Sequence, residues 1–445
     1  MKELLLFIRH HANSFRTIIL GFFLLILTGA ILLSLPFASV DGNVPFTDAL
    51  FTSASASCVT GLVVFNTATK WTMFGKTVIL ILIQIGGLGV ITAMILTMVM
   101  TGRKIGLMER LTMQDAIGAH QTGGVVRFTI FLFLGTALIE ALGTLCLMFV
   151  FVPEFGLLRG LGYALFHAIS AFCNAGFDLM GFKEPYVSLT AYSDHLLLNI
   201  IICALIVIGG IGFLTWRDFL EHKFRFKSYR LQTKVILSTT AVLLLIPFLY
   251  FFFSEFRDYG FKERFLLSMF QSVTPRTAGF NTYDYAKKSE TVLLLSAVLM
   301  MIGGAPGSTA GGLKLTTIFI LAVSTNAFLR KKKEVNVFHR RIEADAITNA
   351  MTLSTVYMGL LIVGTFVISS VEGVPVLSSM FECASALGTV GLTTGITPAL
   401  HTASKLLLTG YMFFGRVGGM TLAYALITAG RKDLTRYPAE KLTVG

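Results

Sequence analysis

The chain has 445 residues, 54% hydrophobic and only 13% charged, with a mean hydropathy of +0.76 and a formal net charge of +12. A soluble domain is about 25% charged, so this composition excludes a water-covered globule and reads as a polytopic membrane protein. Nucleic-acid binding is excluded too, because the basic residues gather in short segments between apolar blocks. The five cysteines (Cys58, Cys146, Cys173, Cys203 and Cys383) form no CxxC pair, which argues against a disulfide framework or a zinc site.

The N-terminal segment 1–16, "MKELLLFIRHHANSFR", holds three basic residues and no small-residue cleavage site, so a retained, cytoplasmic N-terminus is expected. His10 and His11 lie in it without a ligand constellation. Four apolar blocks follow, at 17–101, 127–216, 235–329 and 346–430. They are separated by the basic segments 101–127, 217–234 and 330–341, and a basic C-terminus, 431–445, closes the chain. These five segments hold 23 of the 36 lysines and arginines. All five on the cytoplasmic side would satisfy the positive-inside rule. Each block must then leave and return to the same side. One span needs about 20 residues, so each block has chain left over for a re-entrant excursion.

The blocks repeat internally. Each contains a stretch that closes on a glycine ten residues after it opens: "FTSASASCVTGL", "FHAISAFCNAGF", "MFQSVTPRTAGF" and "FECASALGTVGL". A second glycine cluster follows in each: "IGGLG", "IGGIG", "IGGAPG" and "FGRVGG". The predicted fold is all-α, with four repeats of outer helix, re-entrant half-helix and inner helix around one pseudo-fourfold axis. The closing loops are Val59-Thr60-Gly61, Asn174-Ala175-Gly176, Thr277-Ala278-Gly279 and Thr389-Val390-Gly391. Irregular backbone at membrane depth is tolerated where it lines a cavity, and carbonyls turned to one axis replace the water shell of a cation. Glycine supplies positive φ cheaply, and the half-helices aim their negative ends at the same place. These twelve residues are the expected cation filter.

The third block contains "GGAPGSTAGGLK", residues 303–314. It is not a Walker loop, because Lys314 does not directly follow the second glycine and Leu315 stands where Ser or Thr belongs. Proline and glycine break helices. Gly303, Gly304, Ala305, Pro306, Gly307, Ser308, Thr309, Ala310, Gly311, Gly312 and Lys314 are therefore expected to split this inner helix below the filter as a gating loop. This is the one glycine cluster of the four that expands into a loop. Arg416, in the fourth cluster, is expected to form a positive barrier under the filter. Arg276, in the third loop, is expected to turn behind it as filter support, with Glu382 and Asp178 as candidate partners. Glu140 is expected to be a packed carboxyl and His167 a structural histidine. Asp48 and Asp178 are expected at the outer mouth.

The repeated unit, "TPRTAGFNT", "APGSTAGGLK" and "FGRVGGMTLAYAL" together resemble the Trk/Ktr/HKT superfamily of potassium transporters, and most nearly the KtrB-type membrane subunits of bacterial Ktr uptake systems. The resemblance covers essentially the whole chain. It implies one pore per subunit, a homodimer in the bacterial cell membrane, and a cytoplasmic nucleotide-binding ring of RCK-type (KtrA-like) subunits. K+ is the implied transported ion, with room for Na+ dependence. No covalent cofactor and no nucleic-acid partner are implied, and nucleotide acts only through the regulatory ring. Serine in the first filter loop accompanies sodium preference in plant relatives; Gly61 stands there in this chain. The competing reading is an ion-coupled K+/Na+ symporter with alternating access, a class that commonly uses inverted repeats. An intramembrane enzyme is disfavoured because no nucleophile, base or metal set clusters.

Overall fold

The computed structural model describes residues 14–101, 105–117, 124–182, 186–426 and 440. Residues 1–13, 102–104, 118–123 and nearly all of 431–445 lie outside them, and with them His10, His11 and much of three basic segments. The described chain is helical apart from loops and one two-stranded hairpin, Asn336–Val337 with Arg340–Arg341.

Four long apolar helices form the outside: Ser14–Leu33, Val125–Phe155, Leu231–Tyr250 and Ala344–Glu372. Only about a third of each is buried, and side chains such as Leu138, Phe149 and Phe366 face outward. In water such a surface would aggregate; in lipid it is the expected boundary.

The half-helices lie inside, at Phe46–Ser57, Leu157–Phe172, Phe261–Val273 and Val376–Gly388. The first and fourth start after Pro45 and Pro375, where the missing N–H costs nothing; the second and third start after Gly156 and Gly260. Small residues let them pack closely. Ser53, Ser55, Ser57, Ala384, Ser385 and Ala386 are fully buried, so hydroxyls gather at the centre beside an apolar core.

The inner helices begin at Met73, Leu196, Glu290 and Thr402. The Thr72, His195 and Ser289 side chains cap the first three. All four inner helices break. Met73–Leu88 turns at Gly89 into Val90–Met100, a 95° bend, and Leu196–Gly210 turns near Gly212 into Phe213–His222, a 94° bend. Thr402–Val417 breaks at Gly418 before Gly419–Leu426. Gly89, Gly212 and Gly418 have φ of +88°, +88° and +90°, a conformation glycine adopts without penalty. The third inner helix, Glu290–Met301, resumes only at Leu315–Leu329. A break in the third helix alone was the sequence-based expectation. The other three clusters carry a single turning glycine, and one positive-φ residue suffices to end a helix.

Each half-helix packs against the inner helix of the preceding repeat, and the first packs against the fourth inner helix. The four units therefore close into a ring.

A backbone ring and the segment beneath it

Every closing loop has the same backbone signature. Val59, Asn174, Thr277 and Thr389 adopt φ of +57°, +59°, +64° and +51°; two residues later Gly61, Gly176, Gly279 and Gly391 are positive as well. A left-handed non-glycine residue costs about 1–2 kcal/mol. Four such residues at equivalent positions mark strain held by the surrounding structure.

The loop N–H groups bond backward into the half-helices. The amides of Thr60, Ala175, Ala278 and Val390 donate to the carbonyls of Ser55, Ser170, Thr274 and Ser385 at 2.7–3.0 Å. Ser55 and Ser385 also accept the Gly61 and Gly391 amides through their hydroxyls, both at 3.0 Å. In the second and third repeats the hydroxyls of Ser170 and Thr274 instead donate to the Phe177 and Phe280 carbonyls. The Thr60, Ala175, Ala278 and Val390 carbonyls accept no hydrogen bond among the described residues, although all four residues are fully buried. Buried backbone acceptors are nearly always paired.

These carbonyls face one another around an axis. A Cβ built on Gly61 would lie 2.5 Å from the Ala175 oxygen, on Gly176 2.7 Å from Ala278, on Gly279 2.3 Å from Val390, and on Gly391 2.2 Å from Thr60. The circuit closes, and any side chain at these glycines would collide with the backbone of the next loop. On one side the four glycines line a cavity of about 250 Å³ with Asp178, Ser188 and Asn281.

On the other side lies the 302–314 segment, tied on every side. Ala305 and Thr309 amides donate to Gly210 and Gly209 of the second inner helix, and the Gly312 amide donates to Gly415 of the fourth. The Phe213 amide donates to Gly307, at 2.8 Å. The Thr309 hydroxyl donates to the Phe172 carbonyl and lies 3.3 Å from the Asn174 amide group. The Lys314 ammonium donates back to the Ala310 carbonyl at 2.8 Å. Arg416 donates to the carbonyls of Thr309, Gly86 and Gly87, so it joins this segment to the first and fourth inner helices. Arg416, Lys314 and Ser308 line a second cavity of about 280 Å³.

Arg276 turns behind the third loop, toward Ile206, Thr240 and Gly304. Neither suggested partner meets it. Glu382 is taken by the hydroxyls of Thr393, Thr394 and Thr397 and by the Thr394 amide, at 2.6–3.2 Å. Asp178 accepts the Met180 amide. Both carboxylates serve the chain that follows the ring glycines, whereas Arg276 points away from it, and its Nη1 finds no partner among the described residues. Asp48 pairs with Lys405 at 2.9 Å, so its charge is matched. Glu140 receives a bond from Gln84 at 3.1 Å and lies beside Cys173, directly behind the second loop. His167 joins the Tyr163 carbonyl to the Leu179 amide, a bracing role.

Sequence reading placed Val59, Asn174, Thr277 and Thr389 in the loops but missed their left-handed backbone and the bonds of the serines behind them. Hydroxyls four residues into three of the repeated stretches (Ser55, Ser170, Ser385) were the available signal, and Thr274 shifts by one in the third.

This architecture defines a polytopic membrane protein whose four repeats gather backbone carbonyls around a single axis. Residues 8–431 match the TrkH family, described as cation transport protein, and the chain belongs to that family. It is 41% identical to the potassium/sodium uptake protein NtpJ of Enterococcus hirae over 98% of each chain. It is 40% identical to Ktr system potassium uptake protein B of Bacillus subtilis, over 96% of this chain and 95% of that one. Its structure is similar to that of the potassium transporter TrkH from Vibrio parahaemolyticus, with a TM-score of 0.72 over 93% of this chain and 85% of that one; at 19% identity this is a likeness of fold. The protein is a transport protein and not an enzyme.

Proposed function

We propose that the chain is the ion-translocating subunit of a potassium uptake system, with K+ passing through the ring of Thr60, Ala175, Ala278 and Val390 carbonyls. The observation that carries this reading is the set of buried carbonyls without protein donors, facing one axis. A dehydrating cation is the partner they suit. The twelve loop residues are the filter, residues 303–314 are the gate below it, and Arg416 holds the gate closed and adds a positive barrier. The names of the relatives support potassium and leave sodium open as a second or coupled ion. A "Ktr system" name implies further components, which fits a cytoplasmic RCK-type ring acting on the gate, a homodimer, and residence in the cell membrane with both termini cytoplasmic.

Four repeats pointing one way support a channel-like path over inverted-repeat alternating access. The test is tracer uptake by the purified chain in liposomes, potassium against sodium, with and without its cytoplasmic partner. Downhill flux that prefers potassium and rises with the partner is expected. A fixed sodium-to-potassium stoichiometry would replace this reading with the symporter.

A further inference from the structure

We propose that a cavity between the second and third repeats binds an anionic phospholipid, with an acyl chain inside and the phosphate headgroup on Lys223, Arg225 and Lys227. The cavity has a volume of about 630 Å³ and an almost wholly apolar lining, from Phe131 of the second outer helix to Leu237 of the third. The cavity opens to the outside of the protein, and an open apolar groove on a membrane-facing surface is covered by lipid tails. Its third wall is Phe213–His222, which the 94° bend turns away from the direction of its inner helix. That sets Trp216 and Phe219 on a helix running across the direction of its inner helix, and such aromatic residues favour the membrane interface.

The connector that follows reads Lys223-Phe224-Arg225-Phe226-Lys227, with Phe224 and Phe226 lining the cavity and the cations alternating with them. Phe224 is 89% exposed, so none of the described residues covers it. The acids nearby are already matched: Glu221 pairs with Arg217 at 2.7 Å and Asp218 with Arg230 at 3.4 Å. Lys223, Arg225 and Lys227 are exposed and have no acidic partner among the described residues. Phe338 of the basic hairpin packs edge-on against Phe226, at 6.1 Å, which brings more positive charge to the same mouth. An apolar chamber rimmed by unmatched cations suits a lipid phosphate better than a protein surface, because acyl chains fill an irregular cavity and basic residues attract anionic headgroups.

Trp216 is one of two tryptophans, and the other, Trp71, is 1% exposed and does not line this cavity. Fluorescence of the full chain in phosphatidylcholine vesicles can therefore be titrated with brominated phosphatidylglycerol and, separately, brominated phosphatidylcholine. The phosphatidylglycerol should quench Trp216 at an about tenfold lower mole fraction. The triple variant K223Q/R225Q/K227Q, which alters only exposed side chains, should lose that preference, and Trp216→Phe should remove the quenched component. Equal quenching by both headgroups in the unmodified protein would reduce the site to ordinary boundary lipid. Absence of quenching by either would mean that a second copy or a partner protein closes the cavity. Either result overturns the proposal.

Discussion

Arg416 is a half-buried cation whose bonds among the described residues go to carbonyls, those of Thr309, Gly86 and Gly87. Keeping a charge at membrane depth without a carboxylate is costly, and its contacts join the three pieces that must separate if the gate opens. Arg416→Ala should raise tracer flux about tenfold, equivalent to roughly 1.4 kcal/mol of barrier; an unchanged rate in folded protein would remove Arg416 from the mechanism. Glu382 shows the opposite economy, one carboxylate satisfying three hydroxyls and an amide. Glu382→Ala should lower stability by about 3 kcal/mol or more, read as a thermal shift in detergent, and Glu382→Gln should lose less because its amide oxygen still accepts. At this scale the glycines were legible from spacing. The left-handed Val59, Thr277 and Thr389 were not, since β-branched residues disfavour that conformation and only the closed ring enforces it. The partners of Arg276 were not legible either: spacing along a chain does not say to which side of a loop a long side chain turns.

The inner helices carry the next level. Sequence showed four glycine clusters and singled out the third, where thirteen residues separate two helices. It did not show that the remaining clusters also turn, because a helix tolerates isolated glycines until tertiary packing selects positive φ at one of them. The turning glycines have a shared cause. In the first, second and fourth repeats the leading glycine of the cluster (Gly86, Gly209, Gly415) lies against a half-helix carbonyl, where a Cβ would come within 2.2 Å or less. The third segment instead spans from the second inner helix to the fourth beneath the ring. Deleting residues 307–312 should therefore raise downhill flux in liposomes. Equal or lower flux from folded, inserted protein would make the segment a static brace.

Across the whole molecule, repetition made the architecture readable: four stretches of one length, each closing on a glycine, imply one axis. The order of closure, with each half-helix on the preceding inner helix, lies in contacts that no spacing encodes. Orientation still rests on the distribution of charge. Reporter fusions inserted near Lys223–Lys227 and near Lys331–Lys333 should label from the same side as a fusion at the N-terminus, and opposite sides would break the parallel arrangement of the repeats. The central claim is that ions pass through the carbonyl ring. A methyl group at Gly279 would stand 2.3 Å from the Val390 oxygen, one of the carbonyls of that ring. The direct measurement is potassium tracer flux into liposomes by the wild-type chain and by Gly279→Ala, matched for folding and insertion. The account predicts loss of nearly all flux in the variant; flux equal to wild type would show that the ions take another route.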